Sequence, residues 1–429
     1  MLLIYTPKIT PRITYSFRHI CTNILKIPTK FTSEIEVFVA HRGMKLSYGK
    51  QALGNEVFVQ NVELLLEQGL SDIELKIQDW EGMPCFFALS ESSSVPYDIF
   101  ACTFYLLSRY EEYMPHVKDH QGRFPASESL AFQEGFLEIP IIDVWAYKFR
   151  EILQNHYPDE SFPTRKFRTQ NIISVTEAFS YKEKGIVRVV LGFLDDLIHL
   201  RVKYVIDRMR VMLNLKHDPY DNYSRIIKFL KKHRIPLKFM FQISDFSTFD
   251  RNINPNRLQF QSLMKSMADY AEVGLQPGFY ATEKVEVLKK EKKRLESILN
   301  RPVESSLNNK YNLRLPGGFK NMAELEFRND YSLGYPEVYG FRAGTCTPFL
   351  FYDLNLEVTT PLLLHPYALN NQAAQLLKET EVEGKVWGIF QRVKAVNGTL
   401  VAIFSNEDFS EYANAKRNYR ILKNINEIS

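Results

Sequence analysis

Residues 334–354 read GYPEVYGFRAGTCTPFLFYDL, and the fold turns on how this stretch is read. It sets Gly334, Gly340 and Gly344 among Tyr335, Tyr339, Phe341, Phe349, Phe351 and Tyr352, with the cation Arg342 in their midst. Glycine lets a backbone take a positive φ or come close to another chain. Aromatic rings supply flat apolar faces with polar tips. An arginine among them calls for a carboxylate partner. The composition is that of a tight strand-loop-strand corner with an aromatic core.

On both sides of this corner, from residue 171 onward, strand-like and helix-like runs alternate. IISV (172–175) reads as a short strand, and 185–212, rich in Val, Leu and Arg, as helical. Asp218-Pro219-Tyr220-Asp221 is a turn and cap signal. Residues 222–234 are amphipathic through Ile226, Ile227 and Leu230, and Pro236 stops them. LKFMFQI (237–243) alternates as a buried strand, 259–271 is helical, and VGL (273–275) is a short strand. Residues 283–300 form a charged helix whose KKEKKR run is a solvated face. LVAIF (400–404) is a late strand. Repeated units of this length predict a parallel α/β layer or barrel. Functional groups then belong on the loops that follow the strands.

The first part of the chain has a different texture. Leu2–Tyr5 reads as an edge strand. Residues 34–40 (EIEVFVA) alternate as a strand, with Ile35, Val37 and Val39 on one face. Asp98 caps a helix predicted to reach Tyr113. Arg109, Glu111 and Glu112 are read as a helix face with local ion pairs. Residues 143–153, with Trp145, are another helix. The polar segment 154–169, with Pro158 and Pro163, marks a boundary, which predicts a module at 1–155 and a second domain at 170–425.

Composition narrows the function classes. A chain of 429 residues exceeds one ordinary core and predicts two domains. It is 45% hydrophobic and 24% charged, as folded soluble proteins are. The net charge of +4, from 54 basic and 50 acidic residues, forms no basic stripe with interleaved aromatics, which argues against a nucleic-acid partner. Cys21, Cys85, Cys102 and Cys346 are scattered without a CxxC pair, so they read as free thiols in a reduced, cytoplasmic protein. The first residues, MLLIYTPKITPRITYSF, are interrupted by Pro7, Lys8, Pro11 and Arg12 and form no signal-peptide core. No run approaches the ~18 apolar residues of a membrane span. The oligomeric state is not legible.

GFRAGT (340–345), with PFLFYDL, DYAEVGL and DPYDNY elsewhere, resembles the scaffold of a bacterial branch of the polysaccharide deacetylase (NodB-homology, carbohydrate esterase) family. The resemblance covers roughly residues 170–425. PYDIFA and SRYEEY add a likeness to the N-terminal module of that branch, whose function is unknown. The resemblance implies a distorted (β/α) barrel preceded by a smaller α/β or α+β module. It also implies a site. In the active family the first strand ends in an Asp-x-Asp pair, one base and one metal ligand; here Ser174 and Thr176 stand in those places. The family's His-Pro-Ser segment is Gln276-Pro277-Gly278. Its Ser-Arg-Gln-His segment is Ser306-Leu307-Asn308-Asn309. A later Asp is Asn370. The Trp-His-Asn-Glu segment that supplies the acid is Phe404-Ser405-Asn406-Glu407.

The scaffold strings are thus intact while Ser174, Thr176, Gln276, Asn309 and Ser405 replace the chemistry-bearing residues with neutral ones. Hydroxyls and amides compete poorly with water for a divalent metal, so no metal or other cofactor is expected. Without metal no hydroxide forms near neutral pH, and base and acid are missing too. The expectation is a catalytically degenerate deacetylase-like protein of bacterial glycan metabolism whose groove binds glycan. Arg342, Tyr335, Tyr339, Phe341, Asn308 and Asn370 are the expected substrate contacts, because amides bond sugar hydroxyls in both directions and aromatics stack on sugar faces. One alternative is an active metal-dependent deacetylase with a displaced site among His365, Asp353, Glu357, Glu177 and Glu407. Another is a structural or partner-binding protein.

Overall fold

The computed structural model describes residues 1–308 and 314–427. Short apolar runs near the start of the chain form strands β1 (Leu2–Tyr5), β2 (Thr29–Thr32), β3 (Lys45–Gly49) and β4 (Val57–Gln60). They pair in the order β2-β1-β3-β4, all parallel. The first strand is therefore an inner strand and not an edge, as suits LLIY, which is apolar on both faces and wholly buried. Parallel neighbours need crossover connections. The helix Pro11–Phe17 supplies the first, started by Thr10, whose Oγ1 accepts from Ile13 N at 3.1 Å.

The second crossover corrects a reading. Residues 34–40 are the helix Ile35–Ala40, not a strand. The chain has to pass from β2 over β1 to β3, and that connection overrides the alternating pattern. Only Phe38 of this helix is buried, while Ile35, Val37 and Val39 face outward. β5 (Gln78–Trp80) and β6 (Met83–Cys85) make a small antiparallel hairpin. Asp98 caps the helix Ile99–Leu107 by accepting from Phe100 N and Ala101 N at 3.1 and 2.9 Å. That helix stops at Arg109, whose φ is +55°, and a separate turn follows at Tyr110–Tyr113.

The remaining strands are β7 (Arg168–Val175), β8 (Leu237–Gln242), β9 (Glu272–Gln276), β10 (Ser305–Ser306), β11 (Asn329–Asp330), β12 (Phe349–Asp353), β13 (Val358–Leu364), β14 (Leu369–Asn370) and β15 (Thr399–Ser405). They form one nine-stranded sheet in the order β12-β13-β11-β10-β9-β8-β7-β15-β14. Every neighbouring pair is parallel except β12–β13. Among the described residues no ladder joins β12 to β14. The helices Tyr223–His233, Leu258–Ala268 and Val285–Leu299 connect the parallel strands. Residues 185–212 form two helices, Ile186–Ile198 and Val202–Met212, broken between them.

Strand alternation sorts the two faces of this sheet. Ile173, Val175, Phe239, Phe241, Leu275 and Phe404 join the large apolar cluster that also contains Leu2 and Ile4 of β1. Ile172, Met240, Val401 and Ile403 point the other way and meet Leu307, Tyr331 and Tyr367 in a second, smaller buried cluster. Residues two positions further along β7, β8 and β15 emerge at the strand ends on that second side.

The stretch 334–354 ties the two sheets together. Phe341 N donates to Leu137 O at 2.8 Å, and Ile142 N donates to Gly344 O at 2.9 Å. Gly340 sits at φ +139°, where a Cβ would lie 2.6 Å from the Leu137 carbonyl oxygen. At Gly334 a Cβ would strike the Tyr367 ring at 2.4 Å. Both positions need glycine because another segment occupies the space a side chain would fill. Among the described residues no helix is long and apolar enough to cross a membrane.

Candidate functional site

Because Ile172 faces the smaller cluster, Ser174 and Thr176 follow on the same side at the end of β7. Gln276 ends β9, two strands away. Its side chain spans the gap. Ser174 Oγ donates to Gln276 Oε1 at 2.7 Å, and Gln276 Nε2 donates to Thr176 Oγ1 at 3.1 Å. Ser174 and Gln276 are buried and Thr176 is half-buried. Three neutral groups thus satisfy one another across the strand ends, with the amide oriented so that its oxygen accepts and its nitrogen donates.

A second polar layer lies beside this bridge. Gln242, at the end of β8 and opposite Gln276 in register, donates to Ser244 Oγ at 3.2 Å and also to Asp250. Asp250 accepts from Phe279 N at about 3 Å, and Ser244 Oγ donates to Asn252 Oδ1 at 2.8 Å. Gly278 N donates to Glu291 at 3.0 Å. Burial pushes the Glu291 carboxyl up to about 7. These acids hold the loops after β8 and β9. The same loops carry Phe246, Phe249 and Tyr280, which are all exposed. Phe249 stacks on Phe279 at 3.9 Å, and Tyr280 meets Phe249 edge-on.

The other expected site residues have different occupations. Ser405 caps the turn Asn406–Phe409: its Oγ accepts from Asp408 N at 3.3 Å, while Asp408 Oδ2 accepts from Ser405 N at 2.6 Å. Asn370 Oδ1 accepts from Gln372 N at 3.1 Å and starts the helix Asn371–Leu376. Asn308 is buried, and its N donates to Ser332 Oγ at 2.7 Å. Asn309 lies outside the described residues.

Tyr335, Tyr339 and Phe341 need correction as sugar-stacking residues. All three are buried in the main core, where a sugar face cannot reach their rings. Arg342 is also committed: its Nε and Nη2 donate to the two oxygens of Glu112 at 2.8 and 2.6 Å. Arg109 donates to the same carboxylate at 2.7 Å and to the carbonyl of Arg342. The Arg109 and Glu112 side chains are buried, so although Arg109 does pair locally with Glu111 and Glu112, these residues form a junction with the 334–354 stretch and not an exposed helix face.

The titratable residues that a displaced site would use divide into two groups. His365 stacks on Tyr331 at 4.4 Å and contacts Asn329 Oδ1 at 2.9 Å. Burial, aided by Lys238, lowers it to about 4, so it is neutral. Asp353 accepts from Asn355 N at 2.9 Å, and Glu357 takes Arg12 and the Tyr352 hydroxyl. These three have structural work. Glu177 and Glu407 instead flank the ends of β7 and β15. Glu177 pairs with Lys184. Burial first, and then the nearby Glu177, pushes Glu407 up to about 7. Among the described residues no group of three or more His, Cys, Asp or Glu could hold a metal ion.

One acid had no signal in the sequence. Asp330 ends β11, is wholly buried, and accepts from Ser306 Oγ at 2.6 Å and from Ser332 N and Oγ at 2.8 and 2.9 Å. Burial raises it to about 6. It sits in the mostly polar run EFRNDYS (326–332), where nothing distinguishes it from a loop residue.

A match to a described family covers residues 2–158, and that family, DUF7033, is one of unknown function. No curated protein matches the chain. Among solved structures the chain resembles a protein of Mycobacterium smegmatis assigned as a polysaccharide deacetylase, at 12% identity and a TM-score of 0.35, over 62% of this chain and 86% of that one. It resembles the PuuE allantoinase at 11% identity and a TM-score of 0.39, over 60% and 83%. A polysaccharide deacetylase from Bacillus cereus aligns at 11% identity and a TM-score of 0.29, over 61% and 89%.

Proposed function

We propose that this chain is a catalytically degenerate polysaccharide deacetylase-like protein that binds glycan without hydrolysing it. In this reading residues 170–425 are the deacetylase-like domain, residues 1–155 its N-terminal module, and the open nine-stranded ladder a distorted barrel. The observation that carries the proposal is the neutral bridge Ser174–Gln276–Thr176. It occupies the strand ends where the resemblance places a carboxylate pair and an imidazole. A divalent metal does not fit these residues: they bring no anionic or imidazole ligand, and their polar atoms already satisfy one another.

Glycan contact is assigned to the loops after β8 and β9. Phe246, Phe249 and Tyr280 present exposed aromatic surface there, on loops held from beneath by the buried Gln242 and Asp250. Flat exposed rings suit the apolar face of a sugar ring. The double variant Phe246→Ala/Tyr280→Ala is expected to weaken binding of acetylated chito- or xylo-oligosaccharides about tenfold or more, equivalent to roughly 1.4 kcal/mol. Calorimetric titration reads this directly. Both side chains are exposed, so the melting temperature should stay within about a degree. Absence of oligosaccharide binding by the unmodified protein would favour the structural or partner-binding reading.

A further inference from the structure

The helices Ile186–Ile198 and Val202–Met212 form a hairpin inserted after β7, and its amphipathicity is inverted. A surface helix of a folded protein turns its apolar stripe inward. In this hairpin the inward contacts are polar. Arg208 Nη2 pairs with Asp196 Oδ2 at 2.6 Å between the two helices, with both side chains largely buried. Asp207 takes Lys216 at 2.8 Å and the Tyr412 hydroxyl at 2.9 Å, and Arg208 lies over the Tyr181 ring. These contacts hold the hairpin together and anchor its base.

The apolar residues point out instead. Val187, Leu191, Leu194 and Ile198 are exposed on the first helix, at spacings i, i+4, i+7 and i+11. Val202, Ile206, Met209 and Leu213 are exposed on the second at the same spacings. Two stripes of this period are the seams of helix-helix packing, and neither contains a charge. Between the helices, Val189, Val190, Phe193, Met209 and Met212 help to line a groove of about 300 Å³. Eight large apolar side chains, 43–76% exposed, thus lie uncovered along the two seams, a contiguous patch and not the scattered single apolar residues of an ordinary monomer surface.

We propose that a second copy of this chain covers this face, so that two hairpins pack about a two-fold axis as a four-helix bundle. One self-complementary patch with matched seams is what an isologous contact requires. The flanks fit as well: the first helix carries Asp195 and the second Lys203 and Arg210, all exposed, so a two-fold copy can set unlike charges face to face. A lipid surface fits less well. The exposed charges of the hairpin are of both signs, Asp195 against Arg201, Lys203 and Arg210, and neither helix has a Trp anchor.

Sedimentation equilibrium and light scattering of the full chain test the proposal. The unmodified protein should have twice the chain mass at concentrations near 1 μM. Leu194→Glu/Met209→Glu should sediment at the mass of one chain with an unchanged far-ultraviolet circular dichroism spectrum. The milder Leu194→Gln/Met209→Gln, which adds no charge, should raise the dissociation constant at least tenfold if the glutamate variant fails to fold. An unmodified protein that stays monomeric to 100 μM would overturn the proposal, as would a dimer that both variants leave intact. Flotation of a monomeric unmodified protein with vesicles of equal phosphatidylglycerol and phosphatidylcholine, abolished by the variants, would also overturn it and assign the face to lipid.

Discussion

Glu112→Ala is expected to destabilise the protein by about 3–5 kcal/mol, the usual loss when one partner of a buried ion pair is removed. Glu112 is shared by Arg342 and Arg109, and all three side chains are largely buried. The variant leaves two guanidinium groups at the seam between the sheets with fewer anions. Thermal denaturation should show a melting temperature lower by about 5–10 °C. Glu112→Leu/Arg342→Met should lose less than the sum of its single changes, because it removes unlike charges together. An unchanged melting temperature for Glu112→Ala would contradict this account of the junction.

The same residue makes stability depend on pH. Burial alone would raise the Glu112 carboxyl, but Arg342 and Arg109 overcome it and hold the group at about 2. Its folded pKa thus lies below its unfolded one. The unfolded chain binds the proton more readily in this range, so the contribution is complete above the ordinary carboxylate range and disappears as pH falls toward 2. Urea denaturation between pH 6 and pH 3 should therefore show a shallower loss of stability in Glu112→Gln than in the unmodified protein. Parallel slopes would remove Glu112 from the acid sensitivity.

Asp143→Ala is expected to be at least as damaging. Asp143, in the first turn of the helix Ile141–His156, is wholly buried and accepts from Thr345 Oγ1 at 2.6 Å, Cys346 N at 3.0 Å and Thr347 Oγ1 at 2.5 Å. Arg165 Nη2 adds a charged donor at 2.6 Å. Burial opposes ionisation, yet Arg165 and the two hydroxyls keep the carboxyl below the usual range. Alanine would leave four donors without this acceptor, one of them charged, in the segment just after GFRAGT. A loss of about 5 kcal/mol or insoluble expression is expected, with Asp143→Asn intermediate because one acceptor oxygen survives. A soluble Asp143→Ala protein with an unchanged urea midpoint would contradict this.

Much of the larger sheet was legible because its strands are apolar runs between recognisable helix patterns. LKFMFQI and LVAIF gave β8 and β15, and the helix before Pro236 stands where its periodicity placed it. The sequence misled where connections overrode pattern. Residues 34–40 alternate like a strand, yet a parallel crossover made them helical. Arg109 reads as a surface residue because its local pairs with Glu111 and Glu112 are visible in the sequence, whereas the carbonyl of Arg342 and the hydroxyl of Tyr335, more than two hundred residues away, are not. The site was legible as residue types and not as contacts. Ser174, Thr176 and Gln276 could be named, but the bridge by which Gln276 consumes both hydroxyls depends on β7 and β9 both flanking β8. Tyr335 and Phe341 misled because an aromatic has the same letter in a core as on a binding face. Asp330 was invisible because its value lies in complete burial beside two serines from different segments.

The proposal that this chain has lost deacetylase chemistry is tested most directly by elemental analysis of the purified protein, joined to an acetate-release assay on acetylated chito- and xylo-oligosaccharides. The account predicts no stoichiometric zinc, cobalt, nickel or manganese and no acetate above the uncatalysed rate. One bound transition metal per chain, with acetate release that a chelator abolishes, would contradict it and turn attention to Glu177 and Glu407 at the ends of β7 and β15.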